Sequence, residues 1–151
     1  MFKVINAEKL TISFCFLNFI NMSGMNILLG PLLYVMPELD AFYCFNALIA
    51  ECCPNYVSKN LRGVHEGCSI IERLMQELDP ELHNHLHQKV YTQIFAFPVV
   101  MTLMASLKPL SEVIKIWDAL FSLGVHFNVI MYVSHIILMR SILLAETSSY
   151  K

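Results

Sequence analysis

Three histidines alternate in "HNHLH", residues 83–87, and clustered imidazole nitrogens are a common beginning of a metal site. On a helix His83 and His87 share a face while His85 points away, so three ligands do not converge without an irregular backbone. No cysteine spacing supplies the missing ligands, and the expectation is a solvated helix end with neither metal nor cofactor. His126 and His135 have no nucleophile paired with them, and no GxSxG turn supports Ser-His-Asp chemistry. The five glycines are scattered, not gathered into a phosphate-cradling loop. Trp117-Asp118, in "VIKIWDALFSLG", is a different kind of pair. A buried indole N–H wants an acceptor, and the adjacent carboxylate can satisfy a buried donor or cap a neighbouring helix. Both residues are assigned to the fold.

The five cysteines (Cys15, Cys44, Cys52, Cys53 and Cys68) include no CxxC pair, the usage of a reducing compartment where Cys serves as a small apolar residue. Lys3 and Lys9 precede an apolar run, but Glu8, Asn18 and Asn21 interrupt it and no A-x-A-like site follows, so a secretory leader is not expected. The net charge of −2 and the lack of a Lys/Arg cluster argue against a nucleic-acid partner. Charged residues make up only 15% of the 151 and apolar ones 56%, with a mean hydropathy of +0.56. Such a chain either enters a membrane or hides a partner surface.

The elements that must position these residues read as helices punctuated by Pro and Gly. Residues 25–35 are apolar on nearly all sides, which predicts deep burial. Pro37 opens a helix with Glu38 and Asp40 in its first turn; Leu39, Phe42, Phe45 and Ile49 mark its face, and Pro54 stops it. Val64, Cys68, Ile71, Met75 and Leu78 define an amphipathic helix. In "DPELHNHL", Asp79 can cap and Pro80 fits the first position of a short helix ending near Leu86. Residues 91–106 form an apolar segment that Pro98 kinks or divides. Residues 112–123 form a helix with Val113, Ile116, Trp117 and Leu120 inward, ended by Gly124. A last helix covers 127–144. About seven helices with short connections predict an irregular all-α domain.

Three uncharged stretches, 10–37, 90–107 and 119–139, are long enough to cross a bilayer. Polar side chains within them are costly in lipid, and the amphipathic helix and DPEL turn have the character of domain surface. Membrane insertion is not expected.

Taken in order, "GMNILLGPLLYV" (24–35), "PELDAFYCFNALI" (37–49), "LDPELHNHL" (78–86) and "FAFPVVMTLMASLKPLSEVIKIWDALFSLG" (95–124) resemble the C-terminal part of the TBC domain, which activates GTP hydrolysis by Rab-type GTPases. The family pattern DPxLxxHL stands here as Asp79, Pro80, Leu82, His85 and Leu86. The pattern (V/L)xxxWDxxFxxG stands as Val113, Trp117, Asp118, Phe121 and Gly124. "YVMPELDAFYCF" and "AFP" resemble the fungal mitotic-exit, spindle-position checkpoint branch; many TBC domains carry Trp where this chain has Val99. The resemblance implies an all-α TBC-type fold, a small Ras/Rab-like GTPase partner, a second GAP subunit, and a cytoplasmic location that includes the spindle pole body.

It also implies two catalytic fingers: an arginine from IxxDxxR, worth roughly 10³–10⁵ in rate, and a glutamine from YxQGM. "NMSGMN" lies at the second motif. Gly24, Met25 and Asn26 match and are the expected GTPase-binding residues, but Asn21 replaces the tyrosine and Ser23 the glutamine. The first arginine is Arg62, whose surroundings do not match the finger motif. The chain is therefore expected not to be an enzyme and to be inactive alone. Residues 1–23 are expected to be an unrelated segment from a misplaced start or translated intron, or else the chain is a genuine truncated isoform or a decayed, non-catalytic relative; 24–146 are expected to be a partial TBC domain and 147–151 a tail. Truncation would leave the apolar faces of 25–35 and the next helix uncovered. The rival readings are a non-catalytic helical scaffold and a small multi-span membrane protein.

Overall fold

The computed structural model describes residues 25–88 and 92–145. Among them there are helices and no strand: α1 (Met25–Val35), α2 (Glu38–Ala47), a π turn (Leu48–Cys52), a 3₁₀ turn (Pro54–Tyr56), α3 (Arg62–Leu78), α4 (Pro80–His87), α5 (Thr92–Met101), α6 (Leu110–Leu123), a second 3₁₀ turn (Val125–Phe127), α7 (Asn128–Leu138) and α8 (Arg140–Ala145). The all-α fold expected from the sequence is the fold observed. The fates of residues 1–23 and 147–151 lie outside the described residues. No described helix is long and apolar enough to cross a membrane.

The amphipathic α3 is the centre. Val64, Cys68, Ile71 and Met75 are buried along one face, and α5, α7, α4 and the Pro54–Tyr56 turn pack around it. Two glycines let these neighbours approach. A Cβ on Gly63 would stand 2.6 Å from the Tyr56 ring, and one on Gly67 would stand 2.8 Å from Val100 Cγ1. α1 and α2 pack on one another, and α1 also touches α6.

Several expectations from the sequence are corrected. α1 is buried on one side only: Leu28, Leu29 and Leu32 are in the core while Ile27, Leu33, Tyr34 and Val35 are exposed. On α2 the inward residues are Ala41 and Phe45, and Leu48 and Ile49 continue the buried face in the π turn, so Phe45 and Ile49 are inward as expected while Leu39 is exposed. Leu78 is also exposed, because α3 ends there and Asp79 breaks away in extended conformation (φ −147°, ψ 79°).

The apolar segment before α6 ends as a helix at Met101, not 106. Pro98 is accommodated inside α5, and Thr102 Oγ1 donates to the Pro98 carbonyl at 2.7 Å and accepts from the Ser106 N–H at 3.2 Å. That hydroxyl replaces the helical ladder with a turn, as Ser and Thr side chains do when they compete for backbone groups. The long last helix is split at Met139, whose N–H is shared between the His135 and Ile136 carbonyls.

Candidate functional site

Of the expected GTPase-binding residues, Met25 and Asn26 sit at the start of α1. Ser23 and Gly24 lie outside the described residues. Met25 begins the helix, and Asn26 is exposed in its first turn. The opposite side of α1 is anchored by Leu28, Leu29 and Leu32, so Asn26 is held at a defined place on the surface. No acidic side chain occupies that first turn, which leaves the positive end of the helix dipole free to favour negative charge.

Asp79 accepts the Leu82 N–H at 3.0 Å, capping α4, and Pro80 occupies the first helical position. The other Asp79 oxygen receives Arg140 Nε at 2.7 Å, and Arg140 also donates to Glu81. The Leu82 N–H holds the Asp79 carboxyl below the usual carboxylate range; burial opposes it, and the hydrogen bond and charge of Arg140 each add a smaller pull in the same direction as Leu82. Arg140 thereby ties α8 to the α3–α4 junction. It escapes pattern reasoning, although a signal exists: it is the single charge in residues 119–145, and a lone cation in an apolar stretch needs a partner.

Trp117 is buried, and its indole N–H donates to the Leu103 carbonyl at 2.8 Å. Asp118 is exposed on the other side of α6 and makes no hydrogen bond to the indole. The acceptor comes instead from the Met101–Pro109 connection, where Leu103 (φ 49°) and Met104 (φ 67°) both adopt left-handed backbone. Phe121 packs edge-on to Trp117 at 5.4 Å, and Gly124 (φ 111°) ends the helix. Among the described residues no hydrogen bond or ion pair joins Asp79 and Pro80 to Trp117 and Asp118.

On α4, the His83 and His87 rings stand 5.6 Å apart, and His87 Nε2 lies 3.7 Å from Glu72 Oε1. No group of three His, Cys, Asp or Glu among the described residues could hold a metal ion. Sequence reasoning also overlooked Asn128. It is buried at the start of α7, its amide donates to the Val100 carbonyl at 3.2 Å, and its oxygen lies 3.5 Å from the Tyr56 hydroxyl. Burial pushes that phenol up to about 12 despite the bond.

A helical core around α3, with the capped DPEL turn and the Trp-anchored α6, defines the class. The Rab-GTPase-TBC domain family matches residues 12–144, and the chain belongs to that family. It is 40% identical over 125 residues to the "Putative mitotic check point protein BUB2" of Dictyostelium discoideum, covering 83% of this chain and 34% of that protein. It is 39% identical to the mitotic check point protein BUB2 of Saccharomyces cerevisiae, covering 78% of this chain and 39% of that protein. It is 38% identical to the cell division control protein 16 of Schizosaccharomyces pombe, covering 83% of this chain and 42% of that protein. The chain thus spans between one third and about two fifths of the length of these relatives. No solved structure matches it.

These matches correct one expectation. The expectation that the chain is not an enzyme rests on the absent finger motifs, and it is overturned by membership of the Rab-GTPase-TBC domain family together with relatives named for the mitotic check point.

Proposed function

We propose that the chain is part of a GTPase-activating protein that acts on a small Ras/Rab-like GTPase in mitotic-exit checkpoint control. The observation that carries this reading is the family match over 12–144 together with relatives named for the mitotic check point. Within the reaction, Gly24, Met25 and Asn26 contribute to GTPase docking; the exposed Asn26 on the anchored α1 supports this. Ser23 stands where the family's glutamine positions water, and its hydroxyl is too short to do the same. Full acceleration therefore requires an arginine, and a water-positioning group, from outside residues 24–146, with a second GAP subunit as one source. Asp79, Pro80 and Trp117 serve the fold, as the Asp79 cap and the indole bond support, whereas the exposed Asp118 side chain makes no such contact. The exposed apolar side chains of α1 and α2 are the faces on which further helices of a complete domain would rest. The site of action is cytoplasmic, at the spindle pole body.

Single-turnover GTP hydrolysis tests this. A panel of small Ras- and Rab-type GTPases is measured with the 151-residue chain alone and with the chain plus a polypeptide bearing the IxxDxxR motif. The expected result is a small effect alone and an increase of roughly 10³-fold or more when the arginine is supplied. Acceleration of that size by the chain alone would sink the assignment of roles, and no acceleration in either case would sink the reading.

A further inference from the structure

None of the six residues of α8 is buried. Leu143 and Leu144 only lean against the core, and Ile142 is 52% exposed. The helix rests on α4 and α7. It is set off from α7 at Met139 (φ −87°, ψ 5°), in the bridge region between helical and extended backbone. A segment with so little apolar burial of its own opens at a lower free energy than the core does.

What holds α8 is the charge of Arg140. Its Nε donates to Asp79 Oδ2 at 2.7 Å, and a second guanidinium nitrogen donates to Glu81. The Asp79 side chain is 12% exposed and that of Glu81 74%, so the Asp79 arm of the fork is the sheltered one. Asp79 divides its carboxylate: Oδ1 accepts the Leu82 N–H and Oδ2 serves Arg140. The cap of α4 therefore remains when the guanidinium leaves. Residues 119–145 contain no other Asp, Glu, Lys or Arg to take its place.

We propose that α8 is an electrostatic strap, which swings away as a unit about Met139 when the hold of Arg140 is screened or removed, while α3 and α4 stay folded. An ion pair partly open to water weakens with salt, whereas apolar packing does not. Opening frees Leu143 and Leu144 beside the already exposed Leu138 and Ile142. Ionic strength then sets how much apolar surface this end of the domain presents. The strap does not depend on the GTPase reading.

The test is amide hydrogen exchange of the full chain at neutral pH, resolved by NMR. The reporter is the Leu143 N–H, which donates to the Met139 carbonyl at 2.9 Å; Leu82 reports the α4 cap and Ile71 the core of α3. Raising sodium chloride from about 0.05 M to about 1 M shortens the screening length to about 3 Å. Exchange at Leu143 is expected to speed up about tenfold, with Leu82 and Ile71 unchanged. Arg140→Gln is expected to exchange that fast at low salt already and to respond no further. Arg140→Lys, which keeps the charge but not the fork, should fall between the two. A Leu143 rate that neither salt nor Arg140→Gln alters would overturn the proposal. So would acceleration of Leu82 and Ile71 to the same extent, because the opening would then be global.

Discussion

The indole N–H of Trp117 donates to the Leu103 carbonyl at 2.8 Å, joining α6 to a connection whose backbone turns left-handed at Leu103 and Met104. Left-handed backbone at two consecutive non-glycine residues is costly, and here it is offset by what it delivers. It aims the Leu103 carbonyl at the indole, lets the Met104 N–H reach the Val99 carbonyl at 2.8 Å, and buries both side chains. Trp117→Phe keeps most of the apolar contact but leaves that carbonyl without its donor. A loss of about 1–3 kcal/mol is expected in urea unfolding, against about 3–5 kcal/mol for Trp117→Ala.

Gly67 holds α3 close to α5. A methyl there meets the buried, β-branched Val100 at 2.8 Å, and Val100 has few rotamers with which to yield. Gly67→Ala gains about 1 kcal/mol of helix propensity but overpacks the contact by about 1–3 kcal/mol. The net change should be destabilising, and the double variant with Val100→Ala should recover part of the strain-related loss. A stabilised Gly67→Ala protein would contradict the close approach.

The Asp79 carboxylate, held by the Leu82 N–H and by Arg140, has a folded-state pKa below its unfolded value. Its contribution is thus fully present above the ordinary carboxylate range and is lost as pH falls through the depressed folded value. Asp79→Ala should cost about 1 kcal/mol at neutral pH, the usual value of a helix cap. Stability measured across the acid range should then show a shallower decline for the variant than for the native chain. Identical acid profiles would remove Asp79 from this role.

Cysteine reactivity separates surface from core. Cys44 and Cys52 are exposed, whereas Cys53 and Cys68 are buried. Burial, with a smaller push from Cys52, raises the Cys53 thiol to about 12, and burial raises Cys68 to about 11. The thiolate is the reactive form, so mild alkylation above neutral pH should label Cys44 and Cys52 first and reach Cys53 and Cys68 only on unfolding. Mass spectrometry of the alkylated peptides checks the order.

Much of this architecture is legible in the residues themselves. The spacing of Val64, Cys68, Ile71 and Met75 marks the central helix because one face alone is apolar, and Asp79-Pro80 announces the start of α4 by capping chemistry that is local in sequence. What escapes pattern reasoning depends on distant partners. Asp118 looks like the acceptor for Trp117 because it is adjacent, but adjacent positions on a helix point about 100° apart, and the carbonyl arrives from a separate connection. The inward face of α2 is displaced from Leu39 to Ala41 because small residues carry no periodic signal. Gly63 and Gly67 read as scattered glycines until Tyr56 and Val100 are seen against them. In the candidate site, the match at Gly24, Met25 and Asn26 is visible in sequence; the exposure of Asn26 on an anchored helix comes only from the fold.

The measurement that bears most directly on the central claim is nucleotide-selective binding of the 151-residue chain to small Ras- and Rab-type GTPases, each loaded in turn with GDP and with a non-hydrolysable GTP analogue. At least one GTPase is expected to bind more tightly in the GTP-like form, and Asn26→Ala is expected to weaken this binding while leaving thermal unfolding unchanged, as for other exposed side chains. Equal binding of the two nucleotide forms throughout the panel, or binding that Asn26→Ala does not alter, would contradict the central claim.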